Sequence, residues 1–562
     1  MLGTKRLESI LKLLIGLVLI VLINGLANRG FYRMDLTEEG RFSISEATQD
    51  MLGNLPDDVF IEVYLDGDLP ASFERMKKSI AETLDEFIIY SNGRVHYQFI
   101  NPDESANEQV RNQLIQRMYE LNVPPTDVIQ MDDGQRIQKR IIPGAKIIFG
   151  AREKGALLLK GNQAAPTEIR INQSIEGLEY ELASTILELT KFERKTIGFL
   201  KGHNELDSLD IVSFRRSISE KYDVKDVLLD TTQHISGIDL LMINQPTEIF
   251  TEPQKFMIDQ FIMKGGKAIF LLDMLTVNMD SANVGTFSFP YNHNLQDLLF
   301  KYGVRINNDL VQDLFSNTHA IVVGNTGNQP QIQRLPWPFY PLINNYSNHI
   351  ITRNLDAVLT RFANSIDSVR ADGITKTPLM VTSQYSRSFA APVLVNIDDM
   401  KEALEPDKFT ERNLALGYLL EGKFASLYKN RFPPDGMDHL GFVQDGVENK
   451  VVVFSDGDLV RNEFDPRSGR PLPVGDDPYS PTAFANLDLM FNAIDFMLEG
   501  EGLITARAKE IAIRPLDQVK VDSDRTKWQL VNIVAPVLLV ILYGIGAAVL
   551  RKRKYSRFES TK

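Results

Sequence analysis

Three segments place residues that could do chemistry where an open α/β sheet would use them. The first is Gly202-His203-Asn204-Glu205, directly after the apolar run TIGFL (196–200). The second is Asp273, which closes GGKAIFLLD (265–273). The third is Ser455-Asp456-Gly457-Asp458, which closes KVVVFSDGD (450–458). In such a sheet, ligands bind beyond the carboxyl ends of the strands. The His203 imidazole with the carboxylates of Glu205, Asp273, Asp456 and Asp458 could hold a polar ligand or a divalent cation. Gly, Asp, Asn and Ser are equally the residues of turns and caps. On that second reading they end strands and do no chemistry. No catalytic residue, no resident metal and no cofactor is expected.

Several reaction classes are excluded. The chain has 562 residues and no cysteine, so thiolate metal sites, disulfides and a cysteine nucleophile are impossible. It contains no G-x-x-x-x-G-K-[ST] phosphate loop, no G-x-S-x-G elbow and no H-E-x-x-H zinc motif. A different candidate is RLPWPFYPLI (334–343), where Trp337, Phe339 and Tyr340 could anchor a partner. It falls in a stretch, about 310–350, where regular patterning fails, as it does again at 421–450. Long irregular loops are often functional. The alternative is a loop folded onto its own domain.

The elements that must position these residues alternate strand and helix. VFIEVYL (59–65) and RVHYQFI (94–100) read as strands. Between them, Phe73, Met76, Ile80, Leu84 and Phe87 keep helical spacing, and Ser43 or Ser45 could cap the helix before VFIEVYL. A helix over 104–121 and short strands near 127–131, 145–149 and 156–160 complete a small thioredoxin-like α/β domain without redox cysteines. QSIEGLEYELASTILELTK (173–191) reads as a helical linker. A second alternation follows. Its strands fall at 196–200, 223–229, 238–243, 265–273, 378–383 and 450–458, and its helices at 207–221, 253–264, 293–302 and 482–498. Strands separated by helices imply a mostly parallel, doubly wound sheet.

Both ends of the sequence carry apolar segments. ILKLLIGLVLIVLINGLA (10–27) and WQLVNIVAPVLLVILYGIGAAVL (528–550) are each long enough to cross a hydrocarbon core of about 30 Å. Large residues follow the first, where a signal-peptide cleavage site needs small ones, so it reads as an anchor. Lys5 and Arg6 precede the first segment; Arg551, Lys552, Arg553, Lys554 and Arg557 follow the second. Basic flanks stay cytoplasmic. Both termini are therefore expected in the cytoplasm and the bulk of the chain outside, despite Arg29 and Arg33 on the outer flank. Gly544 and Gly546 in the second segment would allow close approach to another membrane helix. Outside residues 1–12 and 551–562 the chain keeps 52 basic and 72 acidic residues, a balance of −20. So acidic a body is a poor nucleic-acid binder.

The expected organisation is thus a cytoplasmic N-terminus with a first membrane helix (1–30), a thioredoxin-like domain (31–170) and a helical linker (171–195). A larger α/β domain (196–510), a linker with the second membrane helix (511–550) and a basic tail (551–562) follow.

Across nearly its whole length the chain resembles the membrane-anchored auxiliary subunits of bacterial ABC transporters associated with gliding motility, the GldG type. The resemblance is carried by DLTEEGRFSISEAT, VYLDGDLPASFERMKKSIAETLDEF, YQFINPDE, IGFLKGHNELD, FIMKGGKAIFLLDM, KYGVRINNDLVQD, FSDGDLVRNEF and the closing basic membrane helix, in that order. It implies a non-catalytic subunit of the inner membrane that works beside an ABC permease and a cytoplasmic ATPase, with a second domain similar to class I glutamine amidotransferases. A periplasmic ligand- or polysaccharide-binding module, or a degenerate hydrolase, are the alternatives. Where relatives often have Gly-His-Gly-Glu, this chain has Asn204. Among non-glycine residues, Asn is well suited to positive φ.

Overall fold

The computed structural model describes residues 15–16, 43–104, 107–132, 135–160, 167–191, 193–231, 233–279, 282, 285–326, 329–353, 355–401, 404–437, 441–479, 483–499, 502 and 518–556. The expected first membrane segment, with Lys5, Arg6, Arg29 and Arg33, lies outside the described residues apart from Ile15 and Gly16.

The chain after residue 42 opens with helix α1 (Glu46–Gly53), whose N-cap is Ser45; its hydroxyl accepts from the Thr48 N–H. Strand β1 (Val59–Val63), helix α2 (Ala71–Tyr90), β2 (Val95–Phe99) and α3 (Glu108–Glu120) follow. Then come the hairpin β3 (Thr126–Asp132) and β4 (Gln135–Ile141), and β5 (Gly144–Phe149) and β6 (Arg152–Leu157). A four-stranded sheet runs in the order β2-β1-β5-β6. β1 is parallel to β2, and β5 is antiparallel to both β1 and β6. The expected apolar stripe of α2 is buried against this sheet: Phe73, Met76, Ile80, Leu84 and Phe87 are all in the core. Each such side chain contributes about 1.5–3 kcal/mol of burial.

Helix α4 (Thr167–Thr190) is the expected linker, and it is more than a spacer. Ile171, Leu178, Leu182, Ala183, Ile186 and Leu189 bury into the same core as α2. Its Tyr180 hydroxyl donates to Asp495, 2.5 Å away, and so ties it to the second half of the chain.

That second half is built on an eight-stranded sheet, whose first strands are β7 (Thr196–Lys201), β8 (Asp223–Leu228), β9 (Leu240–Asn244) and β10 (Lys267–Leu271). Helices α5 (Val212–Ser219), α6 (Glu252–Met263), α7 (Gln296–Tyr302) and α8 (Asn486–Glu499) accompany it. Helix α6 starts with a capping box, Thr251 with Gln254. Later strands are β11 (Thr286–Ser288), β12 (Val304–Ile306), β13 (Asp309–Asp313), β14 (Ser316–Thr326), β15 (Gln329–Ile343), β16 (Asn345–Tyr346), β17 (Val358–Leu359) and β18 (Ile366–Ser368). The series ends with β19 (Ile374–Val381), β20 (Ser386–Ala390), β21 (Val393–Val395), β22 (Ala415–Ala425) and β23 (Asp445–Phe454). The sheet order is β16-β19-β22-β23-β10-β9-β7-β8.

Alternate residues of the central strands feed two different cores, as a sheet covered on both faces requires. Ile269, Leu271, Val452 and Phe454 pack with Phe214 of α5 and Leu489 and Ile494 of α8. Their neighbours Ala268, Phe270, Val451 and Val453 pack with α6 and with Leu298 and Tyr302 of α7. The sheet is therefore doubly wound.

Two expectations are corrected here. First, the sheet is parallel only from β8 to β23; β22, β19 and β16 add an antiparallel half. The central strand β22 is masked in sequence by Gly417. A Cβ there would sit 2.5 Å from the Phe454 ring, so the glycine is a packing requirement and not a break. Second, the stretch 310–350 is not an irregular loop. β14 and β15 form a long hairpin with register shifts between Ser316 and Thr318 and between Val322 and Gly324. Such bulges tolerate the prolines that hide the strand pattern.

Residues 1–510 form one compact unit and 511–562 another. In the latter, helix α9 (Gln518–Ser556) contains the expected second membrane segment. Its stretch Lys527–Leu550 has a mean hydropathy of 2.6, and nothing covers it. At 1.5 Å per residue such a stretch reaches about 36 Å, more than a bilayer core needs.

Candidate functional site

The strand ends divide into two groups. At the end of β7, Gly202 has φ +113 and Asn204 has φ +54, so the turn does demand left-handed backbone at the position where Asn stands. His203 is buried, and its ring stacks on Phe250 with centroids 3.7 Å apart. Its N–H donates to Glu205 Oε2 at 3.0 Å, and Nδ1 lies 3.3 Å from Oε1. Burial opposes protonation of His203, but the Glu205 carboxylate outweighs it and raises the imidazole pKa. The His203 carbonyl accepts from the N–H groups of Thr247 and Glu248. Gly202, His203 and Glu205 thus build a turn braced by residues 247–250.

Asp273, Asp456 and Asp458 form the other group, just beyond the ends of the neighbouring strands β10 and β23. Asp273 accepts from the Gly457 N–H at 2.7 Å and from the Gln245 amide. Asp456 accepts from the N–H groups of Arg361 (2.7 Å) and Asp458 (2.8 Å). Asp458 pairs with Arg461 at 2.6 Å, which also reaches Asp210 at 3.2 Å. Burial, then the Asp458 charge, pushes the Asp273 carboxyl up to about 7. Burial and its two acidic neighbours also push Asp456 well up. Gly457 is needed for closeness: a Cβ there would lie 2.5 Å from Gln245 Cγ. These carboxylates cap turns and hold a crossing point of the chain. Among the described residues no group of three His, Cys, Asp or Glu side chains is arranged to hold a metal ion.

The aromatic candidates are placed differently from the expectation. Trp337 and Phe339 of β15 are 1% and 5% exposed, packed with Leu275, Leu310, Val393 and Val395. As surface anchors for a partner they are corrected: large rings alternating on a strand have filled their own core instead. Tyr340 packs against the same cluster and meets Phe362 edge-on, with centroids 5.3 Å apart. A Cβ added at Gly544 or Gly546 would meet nothing within 4 Å.

Sequence reasoning missed two clefts, one on each side of β15. The larger, of 750 Å³, is lined by His319, Arg334, Tyr340, Arg361, Glu463 and Asp477, among others. Its cations are matched. Arg334 pairs with Asp477 at 2.5 Å, and Arg361 with Glu463 at 2.5 Å. The smaller, of 460 Å³, is walled by Trp337, Phe339, Phe389, Met400 and Phe409 and holds Arg387. No motif marks Arg334, Arg361 or Arg387; only the strand pairing places each beside a cavity.

The family model of an ABC-type uncharacterized transport system matches residues 194–493, just over half of the chain. That range contains the whole eight-stranded sheet and both clefts. A second model, a domain of unknown function, matches residues 38–148. An uncharacterized protein of Borreliella burgdorferi is 23% identical over 97% of this chain and 99% of its own length. Among solved structures, the mmIFT52 N-terminal domain covers 55% of this chain and 99% of its own, with 13% identity and a TM-score of 0.32, too low to carry an argument. The chain belongs to the auxiliary family of the ABC-type uncharacterized transport system.

Proposed function

We propose that this protein is a non-catalytic, membrane-anchored accessory subunit that works beside an ABC permease and its cytoplasmic ATPase. The family match carries the transport reading. The uncovered apolar stretch Lys527–Leu550 supports the anchoring. So long an apolar helix is stable only in lipid or against other apolar helices. In this proposal both basic flanks lie in the cytoplasm and the acidic body lies in the periplasm, held to one patch of the inner membrane. Tethering raises the effective concentration for docking on a permease. The body then couples to the permease and does not shuttle as a free solute receptor. The link with gliding motility rests on the GldG-type resemblance and is part of the proposal.

The absence of a cysteine nucleophile and a serine elbow supports the non-catalytic role, as does the capping work of the strand-end carboxylates. The test is purification of the full chain from native membranes. A permease and an ATPase should accompany it. Replacing residues 527–550 by an unrelated apolar helix of equal length should keep insertion and lose the partners, if Gly544 and Gly546 pack on a permease helix. Purification without any permease or ATPase contradicts the accessory role. Full assembly with the replaced helix reduces the segment to an anchor.

A further inference from the structure

The smaller cleft contains a cation that the fold leaves unmatched. β20 has the sequence SRSFA, so Arg387 and Phe389 project on one face. Pairing with β13 sets Arg387 opposite Gln312. The Arg387 Nε–H donates to Gln312 Oε1 at 2.7 Å. Its guanidinium lies 4.8 Å from the Phe389 ring centroid and 4.3 Å from that of Phe409. The planar group is held by two phenyl rings and one side-chain amide, with its orientation fixed. Both terminal amino groups remain without a hydrogen-bond partner, and no carboxylate pairs with Arg387 among the described residues. Burial of the group, with nothing to offset it, lowers its pKa.

The rest of the cleft mixes apolar walls with polar side chains, Gln312, Asn396, Glu405 and Lys408. Val393, Leu394, Met400 and Leu404 complete the walls. At the rim, Lys408 is already paired with Glu405, 3.2 Å away. The Trp337 indole N–H is buried without a partner among the described residues. A half-buried, oriented guanidinium in a cleft that is also walled by Trp337 suits an acceptor-rich anion. The volume of 460 Å³ suits a small molecule and is too small for a folded partner.

We propose that this cleft binds a small amphipathic carboxylate. The carboxylate sits on the two free amino groups of Arg387 in the fork geometry that guanidinium and carboxylate share. The apolar body lies against Trp337, Met400 and Leu404. The inference is independent of the transport reading, since it rests on the cleft alone.

The chain has two tryptophans, Trp337 and Trp528, so Trp528→Phe leaves a single reporter in the cleft wall. The full-length Trp528→Phe protein in phosphatidylcholine nanodiscs is titrated with octanoate and with octanamide, subtracting empty discs. Octanoate should shift Trp337 fluorescence and bind at least about tenfold more tightly than the amide, the scale of one charge-assisted pair. Arg387→Gln should abolish that preference, and Arg387→Lys should keep part of it. Should Arg387→Gln not fold, the acid-to-amide ratio of the unaltered cleft still decides. No response to octanoate, equal affinity for acid and amide, or an undiminished acid preference in Arg387→Gln overturns the proposal.

Discussion

The two clefts beside β15 differ in how they treat their arginines. In the larger one, Arg334 meets Asp477, and Arg361 meets Glu463. Arg334 also donates to Thr318, and Asp477 accepts from the Tyr479 N–H. Burial pushes the Asp477 carboxyl up, and Arg334 outweighs it and brings it down below its ordinary value. Both arginines there are answered by carboxylates of the same cleft. In the smaller one, Arg387 has aromatic faces on its guanidinium and, among the described residues, no anion. Size alone would point to the larger cleft as the ligand site. Pairing points to the smaller, because an unanswered, oriented charge is where binding free energy is still available.

The comparison depends on β15 as the wall between the clefts, and the largest expected effect comes from breaking that wall. Trp337→Ala should cost about 3–5 kcal/mol of stability, as for other large buried rings, measured by denaturant unfolding. A loss below about 1 kcal/mol would mean that Trp337 is not the core residue described.

A smaller effect separates the acidic strand-end cluster from both clefts. The Asp273 pKa is about 7 in the folded chain, against an unfolded value of about 4. The folded state therefore holds the proton more tightly. The stability contributed by this group is fully present below about pH 4 and is lost as pH rises to about 7. Asp273→Asn should remove that part of the pH dependence. The difference in unfolding free energy between the two proteins should change between pH 4 and 7 and stay flat above. A constant difference across that window would show that Asp273 is ionised throughout.

Local physics wrote much of this fold into the sequence. The stripe from Phe73 to Phe87 and the cap at Ser45 depend on neighbours within a turn or two, and both were readable. At position 204 the resemblance suggested that Asn could take a positive φ in place of Gly, and the backbone there does. The strands flanked by helices were readable because parallel strands buried on both faces are continuous apolar runs. β15 and β22 were not. Prolines at bulges in β15 and the packing glycine Gly417 in β22 imitate loop signals, and only the partner strand reveals their role. The candidate site shows the same limit. His203, Asp273 and Asp456 were found because strand ends are visible in sequence. That His203 closes on Glu205, apart from the aspartates, is a matter of strand order. Arg387 carries no signal at all, because being unpaired is a property of everything around it.

The account rests most heavily on one distinction: matched arginines are structural, and Arg387 is not. Two variants measured side by side test it. Asp477→Asn leaves the partly exposed Arg334 beside a neutral group and should cost about 2–3 kcal/mol, less than the roughly 3–5 of a fully buried pair. Arg387→Gln breaks no ion pair, keeps an amide toward Gln312 and should cost less than about 1 kcal/mol. The measurement is the unfolding free energy of the full chain with each substitution, at one pH and salt concentration. A gap of about 2 kcal/mol is the expected result; equal losses would contradict the distinction and return Arg387 to the structural residues of its domain.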